Sequence, residues 1–282
     1  MQSEKQLIQE WSTTALFWEK HREIIRQMFA PVTDVLVAEA QIDQGHTLLD
    51  IATGQGEPAL SLAALVGPKG KVFGIDPVVE MVAAANRAAD QLGLHNVQFE
   101  VAFADQLPYP SDTFDAIVSR FGEMFISSPV DAIGEMLRVL KPGRKLSMAV
   151  WHSAETNPFL SGLQAVVEKY SGAPPDAEDA PGAFRYARLG KLRDIFVEAG
   201  AADPTERVVK FRIHAPISVE DFWTLRCEMS EKLRGLVAKL SSQHLADLKT
   251  EAYEVLGRFH TDNGMSFPAE VLIVTGTKSI PA

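Results

Sequence analysis

The sequence predicts an α/β fold, a mostly parallel sheet of seven strands with helices on both faces. Three observations predict it. Short, continuously apolar runs recur along the chain. Gly, Pro or Asp residues punctuate them, and helical periodicity fills the gaps between them. A strand that is apolar along its whole length has both faces covered, and strands separated by helices pair in parallel.

Residues 4–43 read as helical, with Leu7, Ile8, Trp11, Ala15 and Trp18 near helical spacing and Pro31 placed where a second helix begins. The first apolar run, 46–52 (HTLLDIA), stops at a glycine-rich turn, and a helix over 58–66 follows, closed by Gly67 and Pro68. The second run, 71–76 (KVFGID), leads into a helix from Pro77 to about Leu92, closed by Gly93. Runs three, four and five are 97–102, 114–119 (FDAIVS) and 146–151 (LSMAVW). Between the last two, Ser128 and Pro129 form a cap and first turn for a helix through Leu140.

Beyond Trp151 a helix is predicted over 156–171. The Pro-, Ala- and acid-rich stretch 172–187 reads as a surface loop, and 189–199 as a helix ended by Gly200. Residues 207–214 (RVVKFRIH) and 271–277 (VLIVTGT) are the sixth and seventh strands, and the amphipathic stretch 218–260 is a helical insertion before the last strand. The expected organisation is an N-terminal helical lid (1–43), a sheet domain (44–217 and 261–282) and the insertion (218–260), which serves the acceptor pocket or an oligomer interface such as a homodimer's.

Composition narrows the function. Charged residues are 23% and apolar residues 46% of the 282, so the chain can bury a core. A net charge of −10 argues against nucleic acid as a partner, because a phosphate backbone needs a basic surface. The single cysteine, Cys227, has no partner for an internal disulfide, and no His/Cys cluster suggests a metal. No apolar run reaches the ~18 residues of a membrane span, and the opening MQSEKQLIQEWSTT has no apolar core of a signal peptide, so a cytoplasmic protein is expected.

Ligands of an open α/β sheet bind beyond the carboxyl ends of the strands. The first strand ends in Asp50-Ile51-Ala52-Thr53-Gly54-Gln55-Gly56-Glu57-Pro58. Gly54 and Gly56 let the backbone turn sharply and approach a ligand, and the helix that follows aims free N–H groups into the same space. Gly54-x-Gly56-x-x-Ala59 also satisfies a nicotinamide-dinucleotide pattern, with Asp76 at about the spacing of a ribose-binding acid. Asp50 and Glu57 weigh against a pyrophosphate, which their charges would repel. They favour a ligand with a positive end, which Asp50 is expected to face.

Asp50-x-Ala52-x-Gly54-x-Gly56 resembles the first motif of the class I S-adenosylmethionine-dependent methyltransferases, with Ala52 replacing a glycine. Alanine is expected to sit there at negative φ. Phe73-Gly74-Ile75-Asp76 is similar to that family's second-strand acid. Ala104-Asp105-Gln106-Leu107-Pro108-Tyr109-Pro110 resembles its adenine loop, and Asp112-x-Phe114-Asp115 the entry to its fourth strand. Glu135-Met136-x-Arg138-Val139-Leu140-Lys141-Pro142-Gly143 resembles its segment before strand five, with Arg144 replacing a final glycine. The likeness covers roughly 35–152, and the nearest branch is the ubiquinone/menaquinone-biosynthesis-like small-molecule methyltransferases.

The resemblance implies a Rossmann-like domain that binds S-adenosyl-L-methionine and releases S-adenosyl-L-homocysteine. It assigns Asp76 to the ribose hydroxyls, with a helix cap as the plain alternative. It puts Pro77 and Met81 near the adenine, Asp105 on its amino group and the Gln106 N–H on a ring nitrogen. Ala104 belongs to the same loop, while Ala52, Thr53, Gly54 and Gly56 form the turn. The backbone carbonyls of Ser119 and Arg120 are assigned to the methionine ammonium, and Phe121 to the border of the transferable methyl. Trp18, or otherwise Trp11, closes over the cofactor, where an aromatic face gains about 1 kcal/mol from a sulfonium.

Methyl transfer needs proximity and dryness more than a named catalytic group, and a base only where the acceptor is a weak acid. His152, just past strand five, is the first candidate base, Glu123 the second and His21 a weaker third. The acceptor pocket is expected between the N-terminal helices, the loop with Phe184, Arg185 and Tyr186, and the insertion, where Phe222, Trp223, Met229 and Phe259 are its walls or plain core. A small aromatic or apolar acceptor, quinol-like, phenolic or a natural product, fits such walls. The rival readings are an NAD(P)-dependent oxidoreductase on the same glycine turn and a non-catalytic S-adenosylmethionine-binding protein.

Overall fold

Seven long strands and one of two residues make a single sheet in the computed structural model, which describes residues 4–172 and 179–281. They are β1 (Thr47–Ile51), β2 (Lys71–Asp76), β3 (Val97–Val101), β4 (Phe114–Arg120), β5 (Leu140–Trp151), β6 (Ala202–Ala215), β7 (His260–Thr261) and β8 (Gly264–Thr277). Their order is β3-β2-β1-β4-β5-β8-β6, with β7 paired to β8 as a short hairpin arm. Strands β1 to β5 pair in parallel, and β8 runs antiparallel between β5 and β6. The chain steps from β1 outward to β3 and then returns to the other side of β1 as β4. The order therefore reverses between β1 and β4, and a crevice opens beyond their carboxyl ends.

Among the described residues ten α-helices accompany the sheet: α1 (Glu4–Lys20), α2 (Arg22–Glu39), α3 (Ala59–Val66), α4 (Val79–Leu92), α5 (Pro129–Val139), α6 (Pro158–Ser171), α7 (Lys191–Glu198), α8 (Val219–Met229), α9 (Glu231–Ala238) and α10 (Ser242–Gly257). The last three lie in the chain between β6 and β7. Leu48, Leu49, Ile117, Leu146, Met148 and Val150 of the central strands are wholly buried, each stabilising the fold by about 1.5–3 kcal/mol. Helices α6, α8, α9 and α10 bury a separate cluster containing Leu163, Val167, Trp223 and Leu248. Helix α1 lies on α4, with Ala15, Val78 and Met81 buried between them. Among the described residues no helix is long and apolar enough to cross a membrane.

Several elements differ from the sequence expectation. Pro31 lies inside α2, which begins at Arg22 directly after the joint residue His21. Proline forfeits a bond to the preceding turn, but Ile25, Met28, Phe29, Val32 and Leu36 are buried along one face of α2, and that burial holds the helix. Strand β5 starts at Leu140 because Leu140 pairs with Phe114 before a register shift, and the intervening Lys141–Lys145 conceals the strand from a hydropathy reading. Strands β6 and β8 are 14 residues each, twice the length of the apolar run that marked β8, because their outer halves pair with one another with one face open. Ser128 makes no side-chain cap bond, whereas Ser218, Ser230 and Ser241 cap α8, α9 and α10 through the N–H groups of Asp221, Leu233 and His244.

Candidate cofactor and acceptor cavity

The crevice at the strand reversal is the floor of a cavity roofed by α1 and α2, with about 1220 Å³ between its walls, the solvent at its mouth included. The turn after β1 forms one wall through Ala52, Thr53, Gly54, Gln55 and Glu57. Gly54 has φ +56°, and a Cβ there would meet nothing within 4 Å, so its bare backbone faces open space. Gly56, at φ +107°, is not in the wall. A Cβ on it would strike Leu60 at 2.8 Å, so its role is to let the turn pack on α3. Ala52 also departs from expectation, standing at φ +54° where a negative value was expected. The turn imposes the left-handed conformation on whatever residue occupies that place.

Asp76 ends β2 in the cavity wall. Its Oδ1 accepts from the Val78 N–H and its Oδ2 from the Gly54 N–H, both at 2.9 Å, so it caps the entry to α4 and ties the first turn to the second strand. A carboxylate has about four acceptor positions, which leaves room for two hydroxyl donors. Burial pushes its pKa up to about 6 despite those two bonds. Pro77, Met81, Ala104 and Asp105 line the same end, with Asp105 at the exposed rim. Gln106 does not: its N–H donates to the Phe103 carbonyl at 3.2 Å, closing a turn, and the expected bond to a ligand is corrected accordingly.

Asp50 is likewise corrected. It is wholly buried beneath the turn and outside the cavity wall, its Oδ2 accepting from Thr53 Oγ1 at 2.6 Å and from the Ala59 N–H at 3.2 Å. Burial raises its pKa to about 7. It shapes the turn from behind and does not face a ligand. Glu57 is the acid of this turn in the wall, held by Ser61 Oγ at 2.7 Å, with burial pushing its pKa up.

From β4, Ser119 is wholly buried and outside the wall, donating from Oγ to the Ile51 carbonyl. Arg120, Phe121 and Gly122 are in the wall, and the Arg120 guanidinium reaches Thr33 of the roof helix α2 at 2.7 Å. Phe121 sits at φ +66° and stacks on Trp151, with ring centroids 4.4 Å apart and planes within 4°. The roof supplies Leu7, Ile8, Trp11 and Trp18 from α1, and Ile25 and Phe29 from α2. Trp11 lies 5.6 Å from Trp18 and edge-on to Phe125 at 5.1 Å, and Trp18 donates from Nε1 to the Met229 carbonyl of α8 at 3.2 Å.

Neither candidate base lines the cavity. His152 leaves the end of β5 toward β8, with Nδ1 3.3 Å from Glu270 Oε2. Glu123 is wholly buried behind Gly122 and Phe125, both carboxyl oxygens lacking a hydrogen-bond partner, and burial pushes its pKa up to about 8 against the attraction of Arg185. His21 pairs through Nε2 with Glu228. Of the two places expected for the aromatic residues of the insertion, cavity wall or plain core, the structure puts them in the core. Phe222, Trp223 and Met229 are buried packing residues, Phe259 packs on Phe267 at 4.9 Å, and Tyr186 is buried. Phe184 is partly buried against the core, and Arg185 donates to the Ile126 carbonyl. Part of that loop, 173–178, lies outside the described residues. The insertion reaches the site only indirectly, by holding α1. Sequence reading missed the side chains of Arg120, Ile25 and Phe29, since nothing in a linear pattern tells that α2 folds over β4.

An open sheet with this strand order and a cavity at its reversal defines a Rossmann-like nucleoside-binding architecture. Residues 42–180 match the family described as a methyltransferase domain. The chain is 33% identical over 139 residues to the ubiquinone/menaquinone biosynthesis C-methyltransferase UbiE of Coxiella burnetii, covering 49% of this chain and 54% of that protein. The chain thus spans about half the length of the curated relatives it matches. Among solved structures, a SAM-dependent methyltransferase from Aquifex aeolicus superposes with a TM-score of 0.50 at 27% identity, over 65% of this chain and 85% of that one. The YcgJ protein of Bacillus subtilis shares the fold, with a TM-score of 0.57 at 20% identity over 88% and 98%. Residues 42–180 are thus similar to the methyltransferase domains of this family and of these relatives.

Proposed function

We propose that the protein transfers a methyl group from S-adenosyl-L-methionine to a small aromatic or apolar acceptor, quinol-like, phenolic or a natural product. The observation that carries this reading is the division of one cavity into two chemistries. Its Asp76 end offers a buried carboxylate, the Gly54 backbone and Met81, which suit a nucleoside. The rest is walled by Trp11, Trp18, Phe29, Phe121 and Phe125, which suit an apolar second molecule.

Bound there, the cofactor would supply an activated methyl group. Asp76 would accept from ribose hydroxyls, Asp105 would meet the adenine amino group at the rim, and the Gly54 backbone would lie beside the amino-acid arm that leaves the far side of the ribose. The indole rings of α1 exclude water and offer π-faces to a sulfonium, worth about 1 kcal/mol. With His152 and Glu123 outside the wall, the chain's contribution is alignment and dryness. An acceptor that reaches the site already ionised needs no base from the protein.

Calorimetry tests the cofactor. Micromolar binding of S-adenosylhomocysteine and none of NAD is expected, and the reverse pattern rejects the reading. A panel of phenols, quinols, amines and thiols with labelled cofactor then tests turnover, with label expected on an aromatic oxygen or carbon. Binding without product across the panel favours a non-catalytic cofactor-binding protein.

A further inference from the structure

Among the described residues, Arg120 is the one in the cavity wall that carries a permanent positive charge. It is only 8% exposed, and burying a charge is costly unless hydrogen bonds and counter-charge surround it. The protein meets that need incompletely. Nη1 donates to Thr33 Oγ1 at 2.7 Å and to the Phe29 carbonyl at 3.4 Å, both on α2 and both neutral. The guanidinium carbon stands 5.8 Å from the Phe29 ring centre. Nε and Nη2 have no hydrogen-bond partner among the described residues.

The two nearby acids do not complete the set. Asp50 and Glu57 attract Arg120 electrostatically, Glu57 first, but the hydrogen bonds they accept come from Thr53, Ala59 and Ser61, and none comes from the guanidinium. Among the described residues no carboxylate forms an ion pair with Arg120. The fork of Nε and Nη2 is fixed from behind by α2 and matches the spacing of two oxygens on one carbon. An aromatic wall beside it, Phe29 against Phe121 at 5.2 Å, keeps the local dielectric low.

From this arrangement we propose that Arg120 is the anion-receiving group of the cavity and takes a carboxylate-type oxyanion of a bound ligand. Two ligands can present that chemistry: the amino-acid end of the cofactor, or an acceptor that carries its own oxyanion. The inference deepens the methyltransferase reading and rests on it for the identity of the first ligand.

Calorimetry on the full chain separates the sources. The probes are S-adenosylhomocysteine, its methyl ester, 5′-methylthioadenosine (which lacks the amino-acid end) and, in protein saturated with S-adenosylhomocysteine, benzoate against benzamide. If the cofactor supplies the anion, Arg120→Gln weakens S-adenosylhomocysteine about tenfold or more and leaves methylthioadenosine unchanged, and the methyl ester binds wild type correspondingly weakly. If the acceptor supplies it, Arg120→Gln leaves both nucleosides unchanged and abolishes a wild-type preference for benzoate over benzamide.

Either pattern supports the proposal. It is overturned if wild type prefers neither carboxylate over its neutral counterpart, a result that needs no variant to fold, or if folded Arg120→Gln keeps both ratios. Should no nucleoside bind at all, the cofactor reading fails, and benzoate against benzamide on the free protein still decides the role of Arg120.

Discussion

Ala52 and Gly122 stand so close that a Cβ on Gly122 would collide with the Cβ of Ala52. One residue belongs to the turn after β1 and the other follows β4, so their contact closes the crevice between the two central strands. Ala52 holds φ +54°, a conformation that costs a non-glycine residue about 1–2 kcal/mol. Gly122 makes room for it.

The two positions should therefore respond unequally. Gly122→Ala is expected to destabilise the fold by about 1–3 kcal/mol through overpacking against a backbone turn. Ala52→Gly relieves the left-handed strain and gains unfolded-chain entropy of about the same size, so stability should shift by less than about 1 kcal/mol. Urea denaturation of both variants checks the asymmetry, and equal losses would remove the steric account.

Asp76 should make cofactor affinity depend on pH. Its carboxyl titrates near 6 because burial outweighs the Gly54 and Val78 bonds, and only the ionised form accepts from every donor around it. S-adenosylhomocysteine affinity is expected to fall as pH drops from 7 to 5 and to level off above 7. Asp76→Ala should cost roughly 1–3 kcal/mol at pH 7.5 and flatten the profile. Calorimetry at three pH values measures both effects, and unchanged affinity in a folded variant refutes the assignment.

Glu123 should make stability depend on pH in the opposite sense to an ordinary salt-bridged acid. Its folded pKa, about 8, lies above the 4.5 of an exposed glutamate. Between those values the native state holds a proton that the unfolded chain has released, so stability falls as pH rises and becomes flat above 8. Glu123→Gln keeps the shape without the charge. Its advantage over wild type should grow from near zero at pH 4.5 to on the order of a few kcal/mol at pH 8.5. Parallel melts across that range test it, and a constant offset would mean Glu123 does not titrate there.

His152 faces Glu270 across the β5–β8 pair, outside the cavity. His152→Ala should leave cofactor affinity unchanged and cost about 1 kcal/mol of stability or less, because Glu270 keeps Lys210 as a partner at 2.9 Å when the imidazole is removed. A tenfold drop in methyl transfer to a phenolic acceptor would place this histidine in the reaction after all.

The order of strands and helices from 46 to 151 was determined by the sequence, because a buried parallel strand must be apolar throughout and glycine and proline mark its ends. The Asp76 strand end was legible for the same local reason, and Gly54 because positive φ favours glycine, a mark that Ala52, at φ +54°, does not carry. Direction across the sheet left no such mark. Asp50 and Asp76 both end or nearly end apolar strands, yet one points beneath the turn and the other into the cavity. His152 and Arg120 both lie at or just past strand carboxyl ends, and only packing sent Arg120 under α2 and His152 toward Glu270. Tertiary structure alone decided these matters, because a side chain's destination depends on which distant surface is folded against it, and Phe29 and Thr33 are about 90 residues from the arginine they meet.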